Sequence, residues 1–242
     1  MFINRICIAV ILTAVSAHAG IQELIPQLTS SNLEVQTQAR LELLSVCSNA
    51  GRPDTEDERK AVAIELCELL EKGQPVETVL RPIIWNLERI GAEESVPMLA
   101  ELMDHSDPNV RDDARRALVA NPAPSAGMAL AACLNSRKAR SVEDTTGLIY
   151  GLGERREAGA SKLITGYLES PDDALFTAAV KALGMLGEDH GIRIMAERRS
   201  KEKDLRLVQL NAALFATDHP GVFERLFAES EPIDVRAVAL LG

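Results

Sequence analysis

The stretch that decides the fold is Asp107-Pro108-Asn109-Val110-Arg111-Asp112-Asp113-Ala114-Arg115-Arg116-Ala117-Leu118. Val110, Ala114, Ala117 and Leu118 fall three or four residues apart, which gives one apolar stripe on an α-helix. Asp107 stands where an N-cap is wanted, and Pro108 follows at the first helical position, where its missing N–H has no intrahelical partner. Written as Val-Arg-x-x-Ala-x-x-Ala-Leu, the pattern returns in worn copies beginning at Val35, Leu80, Thr145, Leu175, Leu205 and Val235. From Val110 onward the successive spacings are 35, 30, 30 and 30 residues. Recurrence near 30 residues marks one supersecondary unit stacked on itself.

Each copy follows a shorter amphipathic stretch: Ile21–Leu28, Glu56–Leu70, Ser95–Met103, Gly127–Leu134, Ala160–Leu168, Ile192–Arg199 and Val222–Ala228. The unit is therefore helix A, a turn and helix B. Ser170-Pro171-Asp172-Asp173 starts one B helix, and Gly91, Gly153, Gly187, Gly221 or Asn121-Pro122 punctuates the ends. No segment alternates with period two long enough to make a strand. The sequence predicts an all-α solenoid of about seven stacked helix pairs over residues 20–242. The region Arg52–Gln74 is longer than the period requires.

Residues 1–19 have a different character. Arg5 precedes an uncharged run from Ile6 to Val15, and Ser16-Ala17-His18-Ala19 supplies a small-residue cleavage site. This is the pattern of a secretory signal peptide cut after Ala19. The apolar run is too short to span a bilayer, which takes about 20 residues. An exported protein, periplasmic or extracellular, is the expectation. The net charge of −10 makes a poor non-specific partner for nucleic acid or anionic membranes. Beyond the leader the cysteines are Cys47, Cys67 and Cys133, an odd number placed as small buried hydrophobes more than as a disulfide framework.

Apparatus for bond chemistry is thin. Asp104-His105, Asp189-His190 and Asp218-His219 lie on different repeats at helix ends, where a histidine suits the macrodipole. Gly151-x-Gly153 follows no strand and reads as a helix end, not a dinucleotide loop. Glu93-Glu94, Asp112-Asp113 and Asp172-Asp173 suit helix starts or a polar face, and Glu154-Arg155-Arg156-Glu157 reads as a solvated turn. The sequence predicts no catalytic residue, no metal site and no cofactor.

Asp107-Pro108-Asn109-Val110-Arg111 with Ala114 and Ala117-Leu118 resembles the second helix of a HEAT repeat. So do Asp234-Val235-Arg236 and the ending Ala182-Leu183-Gly184. The resemblance implies an inter-repeat ladder with Arg81, Arg111, Arg206 and Arg236 as its arginines and Asp107, Asp204 and Asp234 as nearby acids. It also implies that the B helices line a concave surface. With the first pattern residue facing inward, positions three and seven face outward at 100° per residue. Those positions give Asp112 and Arg116, Thr177 and Lys181, Leu207 and Asn211, Pro82 and Asn86, and Gly147 and Gly151. Arg115 is adjacent, and Trp85 and Tyr150 share its register on the flank.

The predicted partner-binding residues are accordingly Trp85, Asn86, Asp112, Arg115, Arg116, Tyr150, Lys181 and Asn211. The small, mixed and mostly polar residues at positions three and seven fit a protein or peptide partner better than a lipid. The leading expectation is an exported interaction scaffold without catalysis of its own. Two rivals stay open: a chromophore-binding protein similar to the HEAT-like phycobilin lyases, or the N-terminal repeats of a larger exported enzyme. The apolar ending Val235–Gly242, with no polar cap, favours a chain that continues.

Overall fold

A computed structural model describes residues 20–72, 77–136 and 140–217. The leader at residues 1–19, the pattern copy at Val235, the helix predicted at Val222–Ala228, and His219, Gly221, Asp234 and Arg236 lie outside the described residues. Among the described residues there are twelve α-helices and no strand: α1 (Ile21–Leu28), α2 (Leu33–Ala50), α3 (Glu56–Lys72), α4 (Glu77–Ile90), α5 (Val96–Leu102), α6 (Pro108–Ala120), α7 (Pro124–Leu134), α8 (Val142–Glu154), α9 (Ser161–Ile164), α10 (Asp173–Leu186), α11 (Asp189–Arg198) and α12 (Asp204–Ala216). The even-numbered helices are the B helices, each packed on the next from α2 to α12. The odd-numbered A helices pack on their own B partners. The result is an all-α solenoid with one apolar core running between the two layers.

The amino-acid pattern accounts for this layering. Val110, Ala114, Ala117 and Leu118 are all fully buried, and Leu175 packs against the same core cluster. Small alanines let the B helices approach closely, so Phe176 is the single aromatic ring among the largest fully buried side chains. Asp107 caps α6 by accepting from the Asn109 N–H at 2.8 Å, and Asp172 caps α10 by accepting from Ala174 and Leu175. Gly187 closes α10 in the left-handed conformation, φ +63°. The fifth A element departs from the repeat: α9 has only four residues and continues as a 3-10 turn, Thr165–Glu169, across Gly166.

Gly153 is a packing residue inside α8, not the helix stop that the sequence suggested. A Cβ there would lie 2.8 Å from Ala182 Cα in α10, so the glycine sets how closely the two helices cross. Gly184 differs, because a Cβ at that position would meet Ala213 Cβ at 3.4 Å. Gly184→Ala is therefore expected to stabilise the fold by up to about 1 kcal/mol through helix propensity. Gly153→Ala is expected to destabilise it by about 1 kcal/mol, overpacking outweighing that same preference. Paired urea titrations check the opposite signs.

The ladder arginines stand where the HEAT resemblance put them, but their acids are others. Arg81 Nε donates to Asp113 at 2.6 Å. Arg111 pairs with Asp144 at 3.0 Å and also donates to the His105 and Ser106 carbonyls. Arg206 donates to Asp173 and to the Ser170 and Pro171 carbonyls. Asp107 is occupied in capping its own helix. The acid in each rung is whichever carboxylate the adjacent helix lifts to the guanidinium, and its pattern position changes from repeat to repeat. These arginines thus tie adjacent turns and helix ends together.

Arg155 is a second correction. It is no solvated turn residue: its side chain is 12% exposed. Its guanidinium donates to the carbonyls of Leu118, Val119, Asn121 and Ala123, closing the C-terminal end of α6 from the following repeat. Nor do the paired acids all lie on a polar face. Asp113 is buried, and Glu94 is held by Arg59 at 2.6 Å, both side chains largely buried.

Burial alone would raise the Glu94 carboxyl. The Arg59 bond, the backbone N–H groups of Glu94 and Ala92 and the Arg59 charge outweigh that and hold it below the ordinary carboxylate range. A depressed carboxyl stabilises the fold above its unfolded pKa, about 4.3, and loses that contribution as pH falls through the lower folded value. Glu94→Gln is expected to be less stable than the parent at pH 7, with the gap closing below about pH 4. Thermal unfolding followed across pH checks this.

Candidate functional site

The outward side of the B layer carries three clefts. The first, about 620 Å³, opens between α2, α4 and α6, with Trp85 in its wall beside Leu41 and Leu44. The second, about 460 Å³, lies between α4, α6 and α8 and holds Arg115, Arg116 and Tyr150. The third, also about 460 Å³, lies between α10 and α12 and holds Thr177, Lys181, Met185 and Gln209. Glu88, Arg116 and Ala120 line both the first and the second, so those two are one trough. Lys181 of the third sits 5.9 Å from the Tyr150 ring of the second. The three depressions therefore follow one another along the B helices.

Several predicted residues meet on this face. Trp85 is 38% exposed, with the Arg81 guanidinium 5.1 Å from its ring centre. Arg116 crosses to Glu88 at 3.1 Å, and Arg115 is held by Asp112 at 2.7 Å on the exposed flank. Arg115 also reaches the Gly147 carbonyl on α8 at 3.5 Å. Trp85, Arg115, Arg116, Tyr150 and Lys181 all line the clefts.

The two asparagines do not stand outward. Asn211 is 6% exposed and accepts from Arg199 Nε at 2.6 Å inside the structure. Asn86, also 6% exposed, lines the first cleft from behind, its side-chain N–H donating to the Pro82 carbonyl at 2.8 Å. Both errors have one cause, a slip in register, by two residues for Asn211 and by one for Asn86. Leu205, taken as an inward pattern residue, is 68% exposed, whereas Leu210 and Leu214 are buried. Starting that copy at Leu207 puts Asn211 and Leu214 inward at the fifth and eighth positions and leaves Val208 and Ala212 exposed. Likewise a start at Val79 instead of Leu80 makes Trp85 the outward residue and buries Pro82 and Asn86. One residue is 100° of helix, enough to exchange the faces.

Sequence reasoning passed over Arg40, Leu41, Leu44, Glu88 and Arg89. The signal was present for Arg40. It occupies the sixth position of the first copy, as Trp85, Arg115 and Tyr150 do in later ones.

Electrostatically, the first cleft is basic, with Arg40, Arg81, Arg89 and Arg116 set against Glu88 and Asp113. Arg81 is paired with Asp113 and Arg116 with Glu88, while no ion pair links Arg40 or Arg89 to a carboxylate of the described residues.

Elsewhere the potentially reactive groups are quiet. Cys47 and Cys67 are free thiols, and burial pushes each up to about 12, so neither is a thiolate at neutral pH. His105 Nδ1 accepts from the Asp107 N–H at 3.1 Å, a turn contact. Among the described residues no three His, Cys, Asp or Glu side chains are grouped as metal ligands would be, and no helix is long and apolar enough to cross a membrane.

Residues 63–146 match the family model described as HEAT repeats. Comparison with curated proteins gives no match. Among solved structures, the complex of CpcE and CpcF of phycocyanin lyase from Nostoc is 20% identical, with 92% of this chain and 86% of that chain covered and a TM-score of 0.47. A designed armadillo repeat protein in complex with the peptide (KR)4 is 15% identical, over 92% and 99% of the two chains, at 0.39. Human deoxyhypusine hydroxylase in complex with glycerol is 15% identical, over 91% and 93%, also at 0.39. At these identities and scores the likenesses carry nothing beyond the helical fold. The matched segment, continued on both sides by the same hairpin packing, supports a HEAT-repeat family for this all-α solenoid.

Proposed function

We propose that this protein is an exported interaction scaffold that binds a protein or peptide along the outward face of its B helices. The observation that carries the reading is the run of clefts from α2 to α12, walled by Trp85, Arg116, Tyr150 and Lys181. Half-exposed aromatic rings beside guanidinium and ammonium groups are the usual anchors of protein interfaces. A stacked-hairpin frame holds them at fixed spacing, so little ordering entropy is lost on binding. Export rests on the leader pattern of residues 1–19. Helix α1 starts at Ile21, directly past the proposed cut, with Ile21, Leu24 and Leu28 buried, so cleavage after Ala19 leaves the first hairpin whole.

Charge reversal tests the face. Immobilised protein is expected to capture a partner from envelope extract, and Arg116→Glu with Lys181→Glu is expected to lose it while the protein stays folded, its unfolding free energy lowered by no more than about 2 kcal/mol. Capture that survives both substitutions would remove the B face from consideration. Mass spectrometry of protein expressed with its leader tests export: a mature N-terminus at Gly20 is expected, and an uncut N-terminus would contradict it.

A further inference from the structure

The first cleft holds two polar atoms that the fold leaves without partners. Asn86 Oδ1 and Arg40 Nε are both out of contact with solvent, and neither has a hydrogen-bond partner among the described residues. They come from adjacent packed helices, α4 and α2, and both residues line the same cavity. Buried polar groups are nearly always satisfied, and leaving one unpaired is costly. Here the orphans are complementary: one is an acceptor, the other an N–H donor. A single peptide unit supplies the converse pair, its carbonyl for Arg40 and its N–H for Asn86.

The rest of the cleft selects side chains. Leu41, Leu44 and Trp85 are exposed apolar surface at its wall, 54%, 36% and 38% exposed respectively. Arg40 and Arg89 bring positive charge that no described carboxylate neutralises by an ion pair. Resting on the scaffold reading above, we propose that this cleft is a main-chain recognition site for an extended acidic-aliphatic peptide. Asn86 and Arg40, whose unpaired atoms are covered in the free protein, rotate into the cleft to clamp one peptide group, Trp85 and the two leucines take an aliphatic side chain, and Arg40 with Arg89 faces its acidic neighbours. Charge decides between peptides: the four lining arginines outnumber Glu88 and Asp113, so a basic segment is repelled where an acidic one is drawn in.

Trp85 is the only tryptophan and reports occupancy directly. The probe is an acetylated, amidated octapeptide of alternating glutamate and leucine, titrated against the full chain by Trp85 emission. A saturable change is expected, with the lysine-leucine counterpart at least about tenfold weaker. The same peptide N-methylated at its leucine nitrogens is expected to weaken by about tenfold, because it has lost the N–H for Asn86. Asn86→Leu is expected to weaken the parent peptide similarly without lowering the unfolding midpoint, since it removes an unpaired buried acceptor. Equal binding of the methylated peptide, full affinity in Asn86→Leu, or no response of Trp85 to the glutamate peptide would overturn the site. Each of these leaves the charge-reversal capture test standing, so failure of the cleft and failure of the scaffold reading are told apart.

Discussion

Arg155→Ala is expected to lower the unfolding free energy by about 3 kcal/mol. One guanidinium satisfies the carbonyls of Leu118, Val119, Asn121 and Ala123, at 2.9, 2.9, 2.5 and 3.0 Å. The last carbonyls of a helix have no intrahelical donors, and here the junction between two repeats covers them. Bonds to a charged donor contribute about 1.5–3 kcal/mol each before losses elsewhere, and abandoned acceptors carry a desolvation cost. Arg155→Lys is expected to recover less than half, because a compact ammonium cannot reproduce the planar fork. Urea unfolding of the three proteins decides it. A change below about 1 kcal/mol in Arg155→Ala would mean that water takes over the carbonyls.

Asp113→Ala is expected to cost about 3 kcal/mol for a different reason. Asp113 is 2% exposed and holds Arg81 at 2.6 Å across the α4–α6 junction. Removing it strips a buried carboxylate from the Arg81 guanidinium, and breaking such a pair from one side is far worse than replacing both members. The double variant Arg81→Leu with Asp113→Leu is accordingly expected to lie within about 1 kcal/mol of the parent. Because Arg81 also sits over Trp85, the single variant should shift the Trp85 emission as well. Equal destabilisation by the single and double variants would show that packing, not the ion pair, is at stake.

The fold was legible because three signals agree at the same places. The stripe of Val110, Ala114, Ala117 and Leu118 has helical period, Asp107 and Asp172 cap, and the whole recurs near 30 residues. Hence Ile21–Leu28 was located to the residue, and the Asp107 cap stands as read. The cleft was half legible. Arg116 and Lys181 follow from copies whose first pattern residue does pack on the core, Val110 fully buried and Leu175 against the cluster. Asn86 and Asn211 do not, because Val79 and Leu80 in one copy, and Leu205 and Leu207 in the other, each offer two starts and the stripe alone cannot choose between them. Long-range partners were not legible at all. Whether Arg155 meets water or a helix end depends on the neighbouring repeat, some 35 residues away. The same holds for which aspartate completes each arginine rung.

The most direct test of a binding groove on the B layer is photo-cross-linking from single positions on the two layers. A photoreactive side chain is placed at Arg116, Lys181 or Val208 on the B face, and at Glu101 or Met128 on the A helices, all exposed. Cross-links to one common partner from the B positions, and none from the A positions, are expected. Cross-links confined to Glu101 and Met128 would contradict the groove.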